Sequence, residues 1–206
     1  ESTADIAMTL LLMTARRGAE GDRLVRSGQW RGWCPTPMMS SDVTGATLGL
    51  IGFGRIAQAM ARKAHHGFGM KILYVKPSPA DPEIVADLQA VRCETVEELL
   101  PQCDFVSLHC PGGADTRHLI DERRLNLMKP SAHLINTARG DVVDSKALIR
   151  ALREKRIAGD PTLQGEMPQL GRPLPKSLSE ADVEALLKAP DLSEDIGQRD
   201  RAMLEV

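Results

Sequence analysis

The sequence predicts an α/β protein built on a doubly wound parallel sheet, and three observations carry that expectation. Short apolar runs alternate with helical patterns five times between residues 47 and 156. Such a repeat builds a parallel sheet whose two faces are both covered. Clusters of glycine and proline punctuate the runs, and residues 47–57 (TLGLIGFGRIA) pass from an apolar strand through a glycine turn directly into a helix start.

Taken in order, residues 3–17 read as a buried helix, apolar nearly all round, with Thr3 as its N-cap. Gly18, Gly21 and Gly28 break the next stretch, leaving one or two turns around Arg23, Leu24 and Val25. Trp30 and Trp33 fall in a polar loop that ends at Pro35 and Pro37, where tryptophan either covers a core edge or meets a ligand. After the glycine turn, Ile56, Met60 and Ala64 recur at helical spacing until Gly67 and Gly69, and residues 72–75 form the second strand. Pro77, Pro79 and Pro82 force a loop, followed by a helix over 82–90 and a short third strand near Val91. A helix over 96–100 precedes the fourth strand, 105–108, and a helix over 121–128 precedes the fifth, 133–136. Asp144 and Ser145 cap a last helix running to about Arg156. Right-handed crossovers then place ligand at the carboxyl ends of the strands.

Apolar content of 42% and charged content of 26% are those of a globular chain with a substantial core. The net charge of −2 offers no field that would recruit nucleic acid or a membrane. Acids concentrate at the end, where residues 160–206 hold ten of them against five bases. Cys34, Cys93, Cys103 and Cys110 show neither a C-x-x-C pair nor metal spacing, so no metal is expected and a reducing, cytoplasmic setting is. The longest apolar stretch, residues 6–15, is too short to span a bilayer, and no signal peptide is seen. Opening at Glu1 without Met, the chain reads as a piece of something longer.

The glycine run suits a dinucleotide diphosphate. Gly52 permits the turn, Gly54 lets backbone approach phosphate, and Ala57 lets the helix pack on the strand. Free N–H groups and the positive end of the helix dipole then face the anion. A structural glycine turn in another α/β unit is the competing explanation. About 20 residues beyond these glycines an acid would grip a ribose 2′-hydroxyl. Here residues 74–78 read YVKPS, without a carboxylate. Lys76 and Ser78 could meet a 2′-phosphate, which favours NADP over NAD, against a Lys76 that is merely solvated.

Further motifs identify residues 3–159 as similar to the cofactor-binding domain of D-isomer-specific 2-hydroxyacid dehydrogenases, in the glyoxylate/hydroxypyruvate reductase and glycerate dehydrogenase branch. The resemblance rests on Thr3-Ala4-Asp5, on GFGRI at 52–56, FVSLHCP at 105–111, TRHLI at 116–120, MKP at 128–130, NTARG at 136–140 and Val143-Asp144. It implies a Rossmann-type sheet, incomplete at about five strands, and reduction of small 2-keto acids by hydride transfer. It implies that Gly52, Phe53, Gly54, Arg55 and Ile56 hold the diphosphate. Cys110, Pro111 and Thr116 would line the adenosine side, and Thr137 and Ala138 the nicotinamide half. Arg139 would be the catalytic residue that forks onto the substrate carboxylate and polarises the adjacent carbonyl. The helix at 3–17 would help form a homodimer, unless its apolar surface simply faces the core.

The resemblance stops near residue 159. Its relatives continue into an apolar strand and then a catalytic glutamate and histidine, whereas Pro161 and Pro168 interrupt this chain and no histidine follows His133. Keto-acid reduction needs a proton for the new alkoxide, so negligible turnover by this chain alone is expected. The tail, residues 172–187 and 199–206, resembles the linker and first catalytic-domain helices of Xer-type tyrosine recombinases. It ends before that family's first catalytic arginine, and the single tyrosine is Tyr74. The expected layout is therefore a partial dinucleotide-binding domain over 1–159 and an unrelated Pro-rich tail over 160–206 with two short helices, joined near 158–161. A misjoined fragment, with residues 105–108 poorly covered, and a non-enzymatic dinucleotide-dependent interaction protein are the alternatives.

Overall fold

A computed structural model describes residues 1–32 and 38–153. The expected tail over 160–206, its junction near 158–161, Trp33 and Cys34 lie outside those residues.

Five parallel strands form one sheet: β1 (Thr47–Ile51), β2 (Lys71–Val75), β3 (Val91–Arg92), β4 (Phe105–Leu108) and β5 (His133–Asn136), in the order β3-β2-β1-β4-β5. The chain runs from β1 outward to β2 and β3 and then crosses back from β3 to β4 on the other side of β1, so the strand order reverses there and a crevice opens above the carboxyl end of β1. The helices are α1 (Ser2–Ala15), α2 (Gly18–Arg26), α3 (Arg55–Phe68), α4 (Pro82–Asp87), α5 (Val96–Leu99), α6 (Glu122–Leu125) and α7 (Ser145–Arg153).

Alternation along each strand divides the core in two. Leu48, Leu50, Ile72, Tyr74, Phe105 and Ile135 face one side, packing with Ala4, Ala7, Leu11, Met60 and Ala64 of α1 and α3. Ile51, Val106 and Leu108 face the other, with Leu99, Leu125, Ala147 and Ala151 from the α5, α6 and α7 side. On that second side Gly49 is crowded, for a Cβ there would fall 2.4 Å from Cys103 Sγ and 2.5 Å from Leu99 Cδ2.

The strands fall where the sequence places them, and several helices are trimmed. The helix expected over 3–17 runs from Ser2 to Ala15, with Glu1 rather than Thr3 at its N-cap and no side-chain cap. It ends because Arg17 turns left-handed at φ 53°. Its buried residues, Ala4, Ala7, Met8, Leu11 and Ala15, form one stripe, whereas Ile6 is 58% exposed, Leu10 39% and Met13 43%. The helix is therefore not buried all round. Gly18 and Gly21 do not break the next stretch; they lie within α2, whose charged side chains are tied by the Arg26–Asp22 pair at 2.9 Å. The helices expected over 82–90, 96–100 and 121–128 shrink to α4, α5 and α6, each started by a side-chain cap. Asp81, Thr95 and Asp121 accept from the N–H groups of Glu83, Glu98 and Arg124. The expectation that residues 105–108 would be poorly covered fails, because β4 lies between β1 and β5 and every residue in it is buried.

Beneath the sheet, Asp104 ties three elements together. It accepts from the Thr47 N–H at 2.9 Å and from Lys129 Nζ at 2.8 Å. Burial pushes its carboxyl up, yet these hydrogen bonds prevail and hold it below the usual carboxylate range.

Candidate cofactor site

The β1–α3 turn is fixed by contacts on both sides. The Gly52 N–H donates to Val75 O at 3.0 Å and the His109 N–H to Ile51 O at 2.8 Å, tying the turn to the ends of β2 and β4. Gly52 has φ 88°, and a Cβ there would lie 2.8 Å from both Cys110 N and His109 C. Glycine is required twice over, by the torsion and by the close approach. Gly54 is the N-cap of α3, in extended conformation, and a Cβ on it would meet nothing within 4 Å. Unlike α4, α5 and α6, α3 has no side-chain cap, so its first-turn N–H groups point outward without a side-chain acceptor.

A cavity of about 690 Å³ opens at this turn, above the carboxyl ends of the strands. Ile56, Cys110, Pro111, Thr137, Ala138 and Arg139, all singled out from sequence, line it together. Phe53 does not reach it: the ring is 1% exposed and stacks on Tyr74 with centroids 4.2 Å apart. Only its backbone is available, and Gln58 Nε2 donates to the Phe53 carbonyl at 3.1 Å. Thr116 braces the rim, its hydroxyl donating to Pro111 O at 2.7 Å. Lys76 and Ser78 lie beyond β2 and are not among the lining residues. Lys76 Nζ donates to Pro79 O at 3.3 Å, and Ser78 is exposed.

Asn136 shapes the turn that carries Arg139. Its Oδ1 accepts from the Ala138 N–H at 3.0 Å while its Nδ2 donates to Arg139 O at 2.8 Å. Arg139 Nη1 donates to Ala138 O at 2.9 Å, and the residue makes no ion pair among the described residues. The Thr137 hydroxyl is buried without a hydrogen-bond partner among the described residues, an arrangement that costs about 1–3 kcal/mol unless a ligand supplies one.

Sequence reasoning missed Thr3, Gly112, Gly113 and Asp141 as lining residues. Thr3 comes from the first turn of α1 and Asp141 from the turn after β5, and neither carries a local signal. His109 lines the cavity as well, and burial pushes its imidazole down to about 4. Cys110 is a buried free thiol that burial pushes up, and so are Cys93 and Cys103, the last to about 12. Among the described residues no cluster could hold a metal ion, and no helix is long and apolar enough to cross a membrane.

An uncapped helix start over a glycine turn, an orphaned hydroxyl and a cavity at the strand-order reversal define a dinucleotide-binding α/β domain. Residues 8–162 match the family "D-isomer specific 2-hydroxyacid dehydrogenase, NAD binding domain", and the chain belongs to that family. A glyoxylate reductase of Thermococcus gammatolerans is 52% identical over 162 residues, 77% of this chain and 48% of that protein. The crystal structure of a glyoxylate reductase from Paecilomyes thermophila superposes with a TM-score of 0.68 at 37% identity, covering 76% of this chain and 45% of the other. An acyclic imino acid reductase solved with NADPH and D-arginine gives 0.67 at 34% identity, covering 75% and 48%. The chain thus spans about half the length of the relatives it matches.

Proposed function

We propose that this chain supplies the NAD(P)-binding half of an enzyme that reduces glyoxylate- or hydroxypyruvate-type 2-keto acids. The observation that carries this reading is the Gly52 turn beneath the start of α3, which has no side-chain cap, opening onto a cavity lined by Thr137, whose buried hydroxyl has no hydrogen-bond partner among the described residues. Backbone N–H groups at Gly54, Arg55 and Ile56 would hold the diphosphate, with Gly52 and the Phe53 backbone shaping the approach. Cys110 and Pro111, braced by Thr116, would line the adenosine side, and Thr137 and Ala138 the nicotinamide side. The coenzyme supplies the hydride. Arg139, with no carboxylate partner among the described residues, would fork onto the substrate carboxylate and offset charge growing on the carbonyl oxygen.

The preference for NADP rests on Lys76 and Ser78 standing where relatives selective for NAD would present an acid. Free thiols at Cys93, Cys103 and Cys110 fit a reducing, cytoplasmic setting. The exposed face of α1, Ile6, Leu10 and Met13, would pair two copies of the chain; sedimentation showing monomer at all concentrations would remove that part.

Turnover by this chain alone should be negligible. The alkoxide formed by hydride transfer needs a proton, and the histidine lining the cavity is held neutral by burial. Calorimetric titration of the 206-residue chain with NADPH and NADH tests the binding. Micromolar affinity with no glyoxylate-dependent oxidation of the coenzyme is expected. No heat with either coenzyme would refute the binding, and rapid oxidation with glyoxylate would refute the inactivity.

A further inference from the structure

Ser107 is wholly buried on β4, and among the described residues its hydroxyl meets one hydrogen-bonding group, His109 Nε2 at 2.9 Å. Met60 Sδ lies 3.3 Å from the same nitrogen. Two proton arrangements compete. If Nε2 carries the hydrogen, it can donate to the sulfur, but the Ser107 hydrogen is then buried without an acceptor, at about 1–3 kcal/mol. If Nε2 is bare, it accepts from Ser107 and forgoes only a contact to a weak thioether acceptor. The second arrangement wins and places the ring hydrogen on Nδ1. That nitrogen has no partner among the described residues, and His109 is one of the residues that line the cavity, with Ile56, Cys110, Thr137 and Arg139.

We propose that His109 is a positioning residue: a neutral imidazole, locked by Ser107, that offers its Nδ1–H to an oxygen of the bound coenzyme. This rests on the coenzyme reading given above. Burial keeps the ring neutral, with its pKa down to about 4, so the donor carries no charge. An uncharged fixed donor orients an oxygen without adding a full positive charge beside a nicotinamide ring that is itself cationic when oxidised. Nor is His109 a substitute for the missing proton source, since losing Nδ1–H from a neutral ring would leave an imidazolate.

The test is long-range ¹H–¹⁵N NMR on the full chain at pH 7, with and without saturating NADH or NADPH. Expected are a protonated Nδ1 and a bare Nε2, with the Nδ1–H resonance moving on saturation. His109→Leu should weaken coenzyme binding about tenfold, and His109→Asn, whose amide N–H falls near the Nδ1 position, should retain binding within about threefold. A protonated Nε2 overturns the lock. An unmoved Nδ1–H on saturation, or a folded His109→Leu chain that binds as wild type, overturns the contact while leaving the coenzyme reading intact. Failure of the wild-type chain to bind either coenzyme overturns both that reading and the contact. Should His109→Leu fail to fold, the NMR measurement on wild type decides.

Discussion

At the β1–α3 turn, backbone is gripped by both neighbouring strands, and Gly52 sits so close to Cys110 that no side chain fits between them. At the end of β2, in contrast, Lys76 makes one hydrogen bond among the described residues, to Pro79 O, and Ser78 reaches solvent. The first region addresses the part shared by every nicotinamide dinucleotide, so its geometry can be fixed in the backbone. The second addresses the part that differs between two coenzymes, so it depends on side chains that neither strand holds in place. Function is thus divided between a turn that tolerates almost nothing and a loop that tolerates a great deal.

The largest effect should come from breaking the rigid side. Gly52→Ala combines a positive φ with a Cβ 2.8 Å from backbone atoms of His109 and Cys110 that cannot move aside. A loss of about 3 kcal/mol is expected, read by urea unfolding, together with loss of coenzyme binding. A cost below about 1 kcal/mol would show that the turn is less fixed than the comparison requires.

The next effect is a pH dependence at the same end. The folded pKa of His109 lies near 4, below the ordinary 6.5, because burial disfavours the charged ring. The unfolded chain therefore takes up the proton first as pH falls. Stability is full above about pH 6.5 and drains between there and about pH 4, by on the order of 3 kcal/mol. His133, whose pKa burial also lowers, acts in the same direction. Urea midpoints for wild type and His109→Asn across this range check it: the variant should lose most of the slope, and an unchanged slope would assign it elsewhere.

Gly49 separates crowding from function. Gly49→Ala places a Cβ against Cys103 Sγ and Leu99 Cδ2 on the sheet face away from α3. Destabilisation of about 1–3 kcal/mol is expected, relieved in part by adding Cys103→Ala, since the Leu99 overlap remains, with coenzyme affinity unchanged in the folded fraction. Affinity falling in step with stability would mean that the glycine turn senses the whole sheet.

Thr137 should show the opposite sign. Thr137→Val removes an unpartnered buried hydroxyl and keeps the shape, so stability should rise by about 1 kcal/mol while coenzyme affinity falls several-fold. If both rise, the hydroxyl is a defect rather than a contact waiting for a ligand.

The same contrast decides what could be read from sequence. All five strands were legible, because buried parallel strands appear as short apolar runs and the glycine turn is encoded in consecutive residues. So were six of the cavity-lining residues, Ile56, Cys110, Pro111, Thr137, Ala138 and Arg139, because they fall within the motifs that carry the family resemblance. Helix ends were less legible: Arg17 adopts a left-handed torsion that its residue type does not announce, and α2 keeps two glycines. Thr3 and Asp141 enter the cavity by tertiary packing alone. Phe53 stands inside the motif yet spends its ring on Tyr74, a distinction between backbone and side-chain roles that a motif cannot express.

Lys76 offers the smallest and sharpest test of the tolerant region. Its hydrogen bond to Pro79 O is long at 3.3 Å and joins groups at the surface, so losing it should leave stability within about 0.5 kcal/mol. Lys76→Ala should lower NADPH affinity about three- to tenfold and leave NADH affinity unchanged, since an exposed ammonium paired with a phosphate is screened by water and salt. The NADPH difference should shrink as ionic strength rises. Equal losses for both coenzymes would place Lys76 near the shared diphosphate, and the end of β2 would then belong functionally to the rigid side.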